Sequence, residues 1–190
     1  MTQRIYMIRH ARPASAWGGG EDDPGLDLEG VRQALAACRT LMDLPAAERP
    51  SRLVSSPLRR CRETAQPLAE ALAAPVEVIA EVGEIPTPQD LAPKARGPWL
   101  RAALAGRWPD IRGDLDYEAW RRGVYGAVLA RPGAAVFSHF VAINAIVSLV
   151  EGRSEVISFR PDHAAITVFA VEADRLKLVQ RGREAVTGVL

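Results

Sequence analysis

Short apolar runs alternate along this chain with longer segments of helical periodicity, and this alternation constrains the fold more than any other feature. The runs are short and rich in β-branched residues, as buried strands are. They predict strands at Ile5–Ile8, Leu53–Ser55, Val76–Ala80, Ala134–Ser138, Ala165–Val171 and Leu176–Val179, the last two joined by a tight turn at Ala173-Asp174.

The segments between the strands predict helices at about Leu28–Leu44, Pro57–Leu72, Tyr117–Ala130 and Val141–Glu151. Asp27 is predicted to cap the first helix, and Ser56 the second, with Pro57 at its first position. Strands and helices in alternation predict an α/β fold: a three-layer sandwich in which a mostly parallel central sheet carries helices on both faces.

One stretch breaks this pattern. From Ile85 to about Asp116 the chain is rich in proline, tryptophan and arginine and shows no periodic apolar face. We interpret it as a small cap insertion, at about residues 85–125, within a single domain that covers residues 1–190. The insertion carries aromatic and cationic side chains that form either a lid that selects part of a substrate or a small packed cap: Trp99, Trp108, Trp120, Arg101, Arg107, Arg112, Arg121 and Arg122.

Composition and charge exclude several classes of protein. The formal net charge is +1, so no overall positive field favours nucleic acid or an anionic membrane as a partner. The only two cysteines, Cys38 and Cys61, have no ligand spacing, so neither a zinc site nor a disulfide framework is predicted.

The apolar run at the N-terminus is too short for a signal sequence, and no run reaches the roughly 18–20 residues that span a membrane. A cytoplasmic protein is expected, and the sequence leaves its oligomeric state open, with a homodimer as one alternative.

Polar groups follow three of the predicted strands. Arg9-His10, Ser55-Ser56 leading to Arg59-Arg60, and Ser138-His139 each stand at a strand's carboxyl end, where α/β sheets collect their ligands. A single histidine in such a place is usually part of the core or a turn. Two of them, each accompanied by arginines, suit a phosphoryl group, because guanidinium groups bind its oxygens in pairs and a neutral imidazole nitrogen can attack phosphorus.

Four segments also resemble known motifs, in the same order along the chain. Arg9–Pro13 (RHARP) is similar to an Arg-His-Gly signature, Leu26–Gly30 (LDLEG) to a Leu-Thr-x-x-Gly helix start, and Ser55–Ala65 (SSPLRRCRETA) to Ser-Ser-Pro-x-x-Arg-x-x-x-Thr-Ala. Ser138-His139 resembles a second histidine motif. Together they resemble the histidine phosphatase (phosphoglycerate mutase-like) superfamily over about residues 5–146.

The resemblance implies roles for individual residues. His10 is expected to be the phosphorylated nucleophile, with Arg9 and Arg60 on the phosphate and Arg59 as the alternative to Arg60. His139 is expected to complete the pocket and to stabilise charge on the transferring group. The resemblance implies no metal and no cofactor, and a small-molecule phosphate ester as the substrate.

The reaction also needs a proton donor for the leaving oxygen, and a carboxyl group with a raised pKa suits that task. Glu84 stands where the family carries its acidic residue, and Glu81 is the competing residue. The chain departs from the family at several positions. Alanine at position 11 predicts a negative φ there, and Phe140 predicts narrower access to the pocket.

A phosphate-binding asparagine of many members is replaced by Ala16 and Trp17, so Ser15 or a backbone amide of Gly18–Gly20 is expected to substitute. His163 is interpreted as a turn histidine that borders the site at most.

The residues predict a metal-independent phosphomonoester hydrolase that acts on a small phosphorylated metabolite through a phosphohistidine. The alternatives are a phosphoglycerate-type phosphomutase and a non-catalytic phosphate-binding module.

Overall fold

The structure, a computed structural model, describes residues 3–15 and 23–185. The predicted strands are all present, at β1 (Arg4–Arg9), β2 (Arg52–Ser55), β3 (Val76–Val78), β4 (Ala134–Ser138), β5 (Ile166–Glu172) and β6 (Arg175–Gln180). The helices are α1 (Leu28–Met42), α2 (Arg59–Leu72), α3 (Pro93–Ala105), α4 (Tyr117–Leu129) and α5 (Phe140–Val150). Asp27 caps α1 as predicted, since its side chain accepts a hydrogen bond from the backbone N–H of Gly30 at 2.7 Å.

The strands form one sheet in the order β3-β2-β4-β1-β5-β6. The first four strands in that order run parallel, while β5 is antiparallel to β1 and β6 is antiparallel to β5. The β5–β6 hairpin turns at Ala173 and Asp174, both of which have positive φ, as a tight hairpin turn requires. The carboxyl ends of β1, β2 and β4 therefore share one edge of the sheet with the beginning of β5.

Alternate residues of the strands face two different helical layers. On one face, Ile5 and Met7 of β1 belong to an apolar cluster with residues of α4 and α5 such as Val124 and Ile143. On the other face, Tyr6 and Ile8 pack in a second cluster with residues of α1 and α2. The period of two along β1 thus produces the three layers, and the prediction of an α/β sandwich with a mostly parallel sheet is confirmed.

The prediction for the start of α2 was wrong. The helix begins at Arg59 and its N-cap is Leu58, so Ser56 and Pro57 lie outside it. Ser56 is held to the sheet instead, because its backbone N–H donates to the carbonyl of Phe137 at 3.0 Å. Its hydroxyl still accepts a 3.3 Å hydrogen bond from the backbone N–H of Leu58.

The expectation of irregular structure between residues 85 and 116 was also wrong in part, because α3 occupies its centre. Pro93 stands at the first helical position, where a proline costs no hydrogen bond. Leu104 of α3 is buried beside Trp108, and Trp99 and Leu100 pack against the same cluster. Tertiary packing therefore stabilises a helix that the periodicity of the sequence does not reveal. Within the described ranges, no helix is long and apolar enough to cross a membrane.

Candidate active site

Four of the residues singled out in the sequence meet at the edge where β1, β2 and β4 end. Arg9, His10, Arg60 and His139 are all buried, with exposed fractions of 5%, 6%, 7% and 0%. The ends of β1 and β4 are joined directly, because the backbone N–H of His10 donates to the carbonyl of Ser138 at 2.8 Å. The parallel register of these strands thus brings together histidines that lie more than a hundred residues apart.

The ring of His10 is fixed in one tautomer. Its Nδ1 lies 2.9 Å from the carbonyl oxygen of Ala11, and because a carbonyl can only accept, Nδ1 carries the hydrogen. Nε2 therefore holds a lone pair and has no hydrogen bond within the described residues. Burial, followed by the nearby His139 and the positive charges of Arg60 and Arg9, lowers the pKa of His10 well below 6.5. His10 is a neutral imidazole with a free lone pair at neutral pH.

His139 is held in the opposite tautomer. Its ring centroid is 5.3 Å from that of His10. Nδ1 lies 3.3 Å from Nη2 of Arg60, and because a guanidinium only donates, Nδ1 accepts there. Nε2 therefore carries the hydrogen and donates to the hydroxyl of Ser56 at 2.8 Å. The thiol of Cys61, 3.3 Å from Nε2, packs against the same side of the ring. Burial and the two arginines lower the pKa of His139 well below 6.5.

The two arginines are held by different parts of the fold. Arg9 donates from Nη1 to the carbonyl of Pro161 at 2.9 Å, and its guanidinium lies 5.2 Å from the ring centre of Phe140. Its buried Nε has no hydrogen-bond partner in the part of the chain that the structure describes. Burial lowers the pKa of Arg9 to about 10, so the group stays charged at neutral pH. Arg59 points outward, where its Nε pairs with Glu63 at 2.6 Å, so the structure places Arg60 and not Arg59 beside the histidines.

A carboxyl group lies next to His139. Oε2 of Glu84 is 3.9 Å from Nδ1 of His139, while Oε1 accepts from the backbone N–H of Ile85 at 2.9 Å. Burial raises the pKa of Glu84, although the hydrogen bond from Ile85, the positive charges of Arg60 and Arg9 and a backbone hydrogen bond from Val141 oppose the shift. Glu81, the other candidate, is exposed. Ser138 holds the turn that carries Glu84, because its hydroxyl donates to the carbonyl of Val82 at 2.7 Å.

The sequence analysis assigned no role to Thr64 and did not place His163 against His10, although both residues lie at the site. Thr64 is buried, and its hydroxyl accepts from the backbone N–H of Ala11 at 2.9 Å and donates to the carbonyl of Arg60 at 2.6 Å. It therefore ties the loop after β1 to α2. The ring centroid of His163 is 5.7 Å from that of His10, so His163 lies on a turn but also against the proposed nucleophile. His163 is brought beside His10 by the antiparallel pairing of β5 with β1, and the sequence did not reveal this pairing.

Other predicted residues have a less direct relation to this cluster. The hydroxyl of Ser15 is buried on the loop after β1 and has no hydrogen-bond partner among residues 3–15 and 23–185. The proposed substitutes for the missing asparagine at positions 16–20 lie outside the described residues. The φ of Ala11 is not positive, as predicted. Phe140 is buried under the guanidinium of Arg9.

The aromatic and cationic residues of the insertion do not act as one group. Trp108 is 1% exposed and donates to the hydroxyl of Ser148 at 3.0 Å, and the buried Arg121 stacks on it at 5.2 Å, so both belong to the packed interior. Trp99, Arg107 and Arg112 line a cavity of about 140 Å³ whose lining includes none of the histidines. In the part of the chain that the structure describes, no group of three or more His, Cys, Asp or Glu side chains could hold a metal ion.

Comparison with known proteins agrees with this geometry. The family model described as "Histidine phosphatase superfamily (branch 1)" matches residues 5–183. No curated protein sequence matches the chain. Among solved structures, a mycobacterial glucosyl-3-phosphoglycerate phosphatase is similar with a TM-score of 0.73 at 21% identity, over 97% of this chain and 100% of that one.

Two further structures share the fold. A putative α-ribazole-5'-P phosphatase from Escherichia coli gives a TM-score of 0.74 at 16% identity, over 98% of this chain and 99% of that one. A phosphoserine phosphatase from Entamoeba histolytica, bound to phosphoserine, gives 0.72 at 18% identity, over 94% and 95% of the two chains. At these identities the likeness concerns the fold.

Proposed function

Since the chain belongs to branch 1 of the histidine phosphatase superfamily, we propose that it hydrolyses phosphate monoesters of small metabolites through a phosphohistidine on His10. The observation that carries this proposal is the state of His10: a neutral ring, fixed through Nδ1 by the carbonyl of Ala11, with Nε2 free. The solved relatives named above are phosphatases of small phosphorylated molecules, which supports the same substrate class. The cytoplasmic location stays a prediction from the sequence.

In the first step, the lone pair on Nε2 of His10 attacks phosphorus, and the bond from phosphorus to the ester oxygen breaks. Arg9 and Arg60 supply two positive charges for the dianionic phosphoryl group, which needs electrostatic stabilisation more than covalent assistance. Nε of Arg9 has no partner among residues 3–15 and 23–185, so this donor is not taken up by another described group. The negative charge of the bound group favours protonation of His139 at Nδ1. The hydrogen bond from Arg60 to Nδ1 is then lost, so this N–H and Nη2 of Arg60 can both donate to phosphoryl oxygens.

Glu84 provides the proton that the leaving oxygen needs. Its raised pKa keeps the carboxyl protonated at a higher pH than an exposed glutamate, and it lies 3.9 Å from His139, at the edge of the phosphate pocket. In the second step the resulting carboxylate takes a proton from water, the water oxygen attacks phosphorus, and the phosphorus–nitrogen bond breaks. The electron pair returns to Nε2 of His10, and Glu84 is protonated again.

The proposal is tested by the release of inorganic phosphate from 4-nitrophenyl phosphate in the presence of a chelator. We expect turnover in the wild type and none in His10→Ala. Acid-labile labelling of the wild type by a ³²P-labelled ester, absent in His10→Ala, would identify the intermediate. Loss of activity in the chelator would refute the metal-independent mechanism.

Two further results of these assays would overturn the proposal. Turnover only in the presence of a bisphosphate would indicate a mutase. Phosphate binding without turnover of any ester would indicate a binding module. Arg62→Ala is the matched control, because Arg62 is an exposed arginine on the same helix as Arg60 and should leave turnover unchanged.

A further inference from the structure

A turn that precedes β5 is fastened to the end of β1 by hydrogen bonds, three of which involve Arg9. The backbone N–H of Ala164 donates to the carbonyl of Arg9 at 3.1 Å, and the backbone N–H of Arg9 donates to Ala165 at 3.2 Å. The third bond runs from the Arg9 guanidinium to Pro161. Ala164 has a φ of 54°, a left-handed conformation that is unfavourable for an alanine. These bonds hold the intervening residue, His163, in a fixed position beside His10.

The side chain of His163 is buried, and its ring nitrogens have no partner among the residues that the structure describes. It is 8% exposed, and its ring centroid lies 5.7 Å from that of His10 at an interplanar angle of 49°. Within the described residues, neither ring nitrogen makes a hydrogen bond or an ion pair, and neither belongs to the fully buried polar atoms that lack a partner, so both remain accessible to a ligand. The mechanism proposed above assigns no task to this ring.

The surroundings of His163 include the ring of His10 and several charged side chains. Besides burial, its pKa responds to the positive charges of Arg9 and Arg12 and to the negative charges of Asp162 and Asp27, and it falls to about 4. Arg12 and Asp27 form an ion pair at 2.7 Å in which the Arg12 side chain is 50% exposed. The ring therefore adjoins the proposed nucleophile, and the charged groups that influence it include this partly exposed ion pair.

A neutral imidazole offers one hydrogen-bond donor and one acceptor, as a hydroxyl group does. A second anionic group on the substrate would bind more strongly to a cation than to a neutral imidazole. The phosphoryl group already has Arg9, Arg60 and His139 as its proposed binding partners. We propose that His163 is a specificity-determining residue that hydrogen-bonds a hydroxyl on the alcohol part of the ester, so that the preferred substrates are phosphates of polyols or sugars. This inference rests on the proposed function.

The test compares pairs of ligands that differ only in hydroxyl groups. Glycerol 1-phosphate and propyl phosphate are compared by kcat/KM, and 3,4-dihydroxybutylphosphonate and butylphosphonate by calorimetric Kd. We expect the wild type to prefer the hydroxylated member by about 3- to 10-fold, the worth of one neutral hydrogen bond. His163→Phe, which keeps a ring but removes both nitrogens, should reduce the preference to about one. His163→Asn, which keeps a donor and an acceptor, should restore part of it.

Two results would overturn the inference. An unchanged preference in His163→Phe would show that the ring does not contact the hydroxyl. An equal loss for both members of each pair would show that His163 acts on the phosphoryl group or positions His10. The phosphonates are not hydrolysed, so their Kd values report on His163 even if the chain turns over no ester. A failure of the proposed function therefore has a different signature from a failure of this inference.

Discussion

Replacing Glu84 with glutamine tests the acid–base chemistry of the site with minimal structural change. The amide oxygen of glutamine can still accept the 2.9 Å hydrogen bond from the backbone N–H of Ile85, and the side chain keeps its length. Only the transferable proton is lost. The second step also needs Glu84, so kcat/KM, which reports the steps up to cleavage of the ester bond, is the informative quantity.

The expected magnitude depends on the leaving group. General acid catalysis contributes about 10²- to 10⁴-fold, so kcat/KM for ethyl phosphate should fall by that factor in Glu84→Gln. The 4-nitrophenolate ion leaves without a proton, so kcat/KM for 4-nitrophenyl phosphate should fall by less than about tenfold. Steady-state release of inorganic phosphate measures both values, and Glu81→Gln serves as the exposed, isosteric control.

The pH dependence gives a second readout of the same variant. Glu84 must be protonated to act as the acid, so kcat/KM for ethyl phosphate should fall as the pH rises through its raised pKa. This alkaline limb should disappear in Glu84→Gln. His10 must be neutral, and its lowered pKa moves the acidic limb below pH 6.5 in both proteins. Equal slowing of both esters, or the same effect in Glu81→Gln, would refute the assignment of Glu84 as the acid.

Three further predictions concern stability. In Gly30→Ala the new Cβ would overlap the carbonyl oxygen of Arg12, so the free energy of unfolding in urea should fall by about 1–3 kcal/mol. Gly126→Ala meets nothing within 4 Å inside a helix and should instead gain about 0.5–1 kcal/mol. The pKa of His163 falls from 6.5 to about 4 on folding, so the wild type should lose stability as the pH drops through this window. Unfolding of His163→Asn should take up as much as one proton fewer there, which makes its free energy of unfolding depend less steeply on pH. The same steepness for both proteins in urea titrations would contradict the pKa shift.

The parts of the site that the sequence predicted are those that follow directly from the parallel sheet. His10 and His139 stand one residue beyond β1 and β4, so pairing of these strands was enough to bring the two rings together. Arg60 was distinguishable from Arg59 only by its place in the motif. The structure adds the physical reason, since the helical turn of about 100° per residue directs one side chain inward and the other to solvent.

The parts that the sequence did not predict depend on contacts between distant segments. The helix α3 has no clear amphipathic period and is stabilised by packing around Trp108. Ser56 has the residue type of an N-cap, but a backbone hydrogen bond to β4 keeps it in the sheet. His163 is near His10 only because β5 reverses direction beside β1. Local patterns carry no information about any of these contacts.

The sheet order also determines when the pocket can form during synthesis. β1 lies between β4 and β5, and the first residue of β4 lies 125 positions after Arg9, the last residue of β1. At about 5–20 residues per second, a ribosome leaves this apolar strand without a partner for roughly 6–25 s. The nascent chain therefore presents an unpaired central strand until most of the protein has been made, and a prematurely terminated chain would expose an aggregation-prone segment and lack His139.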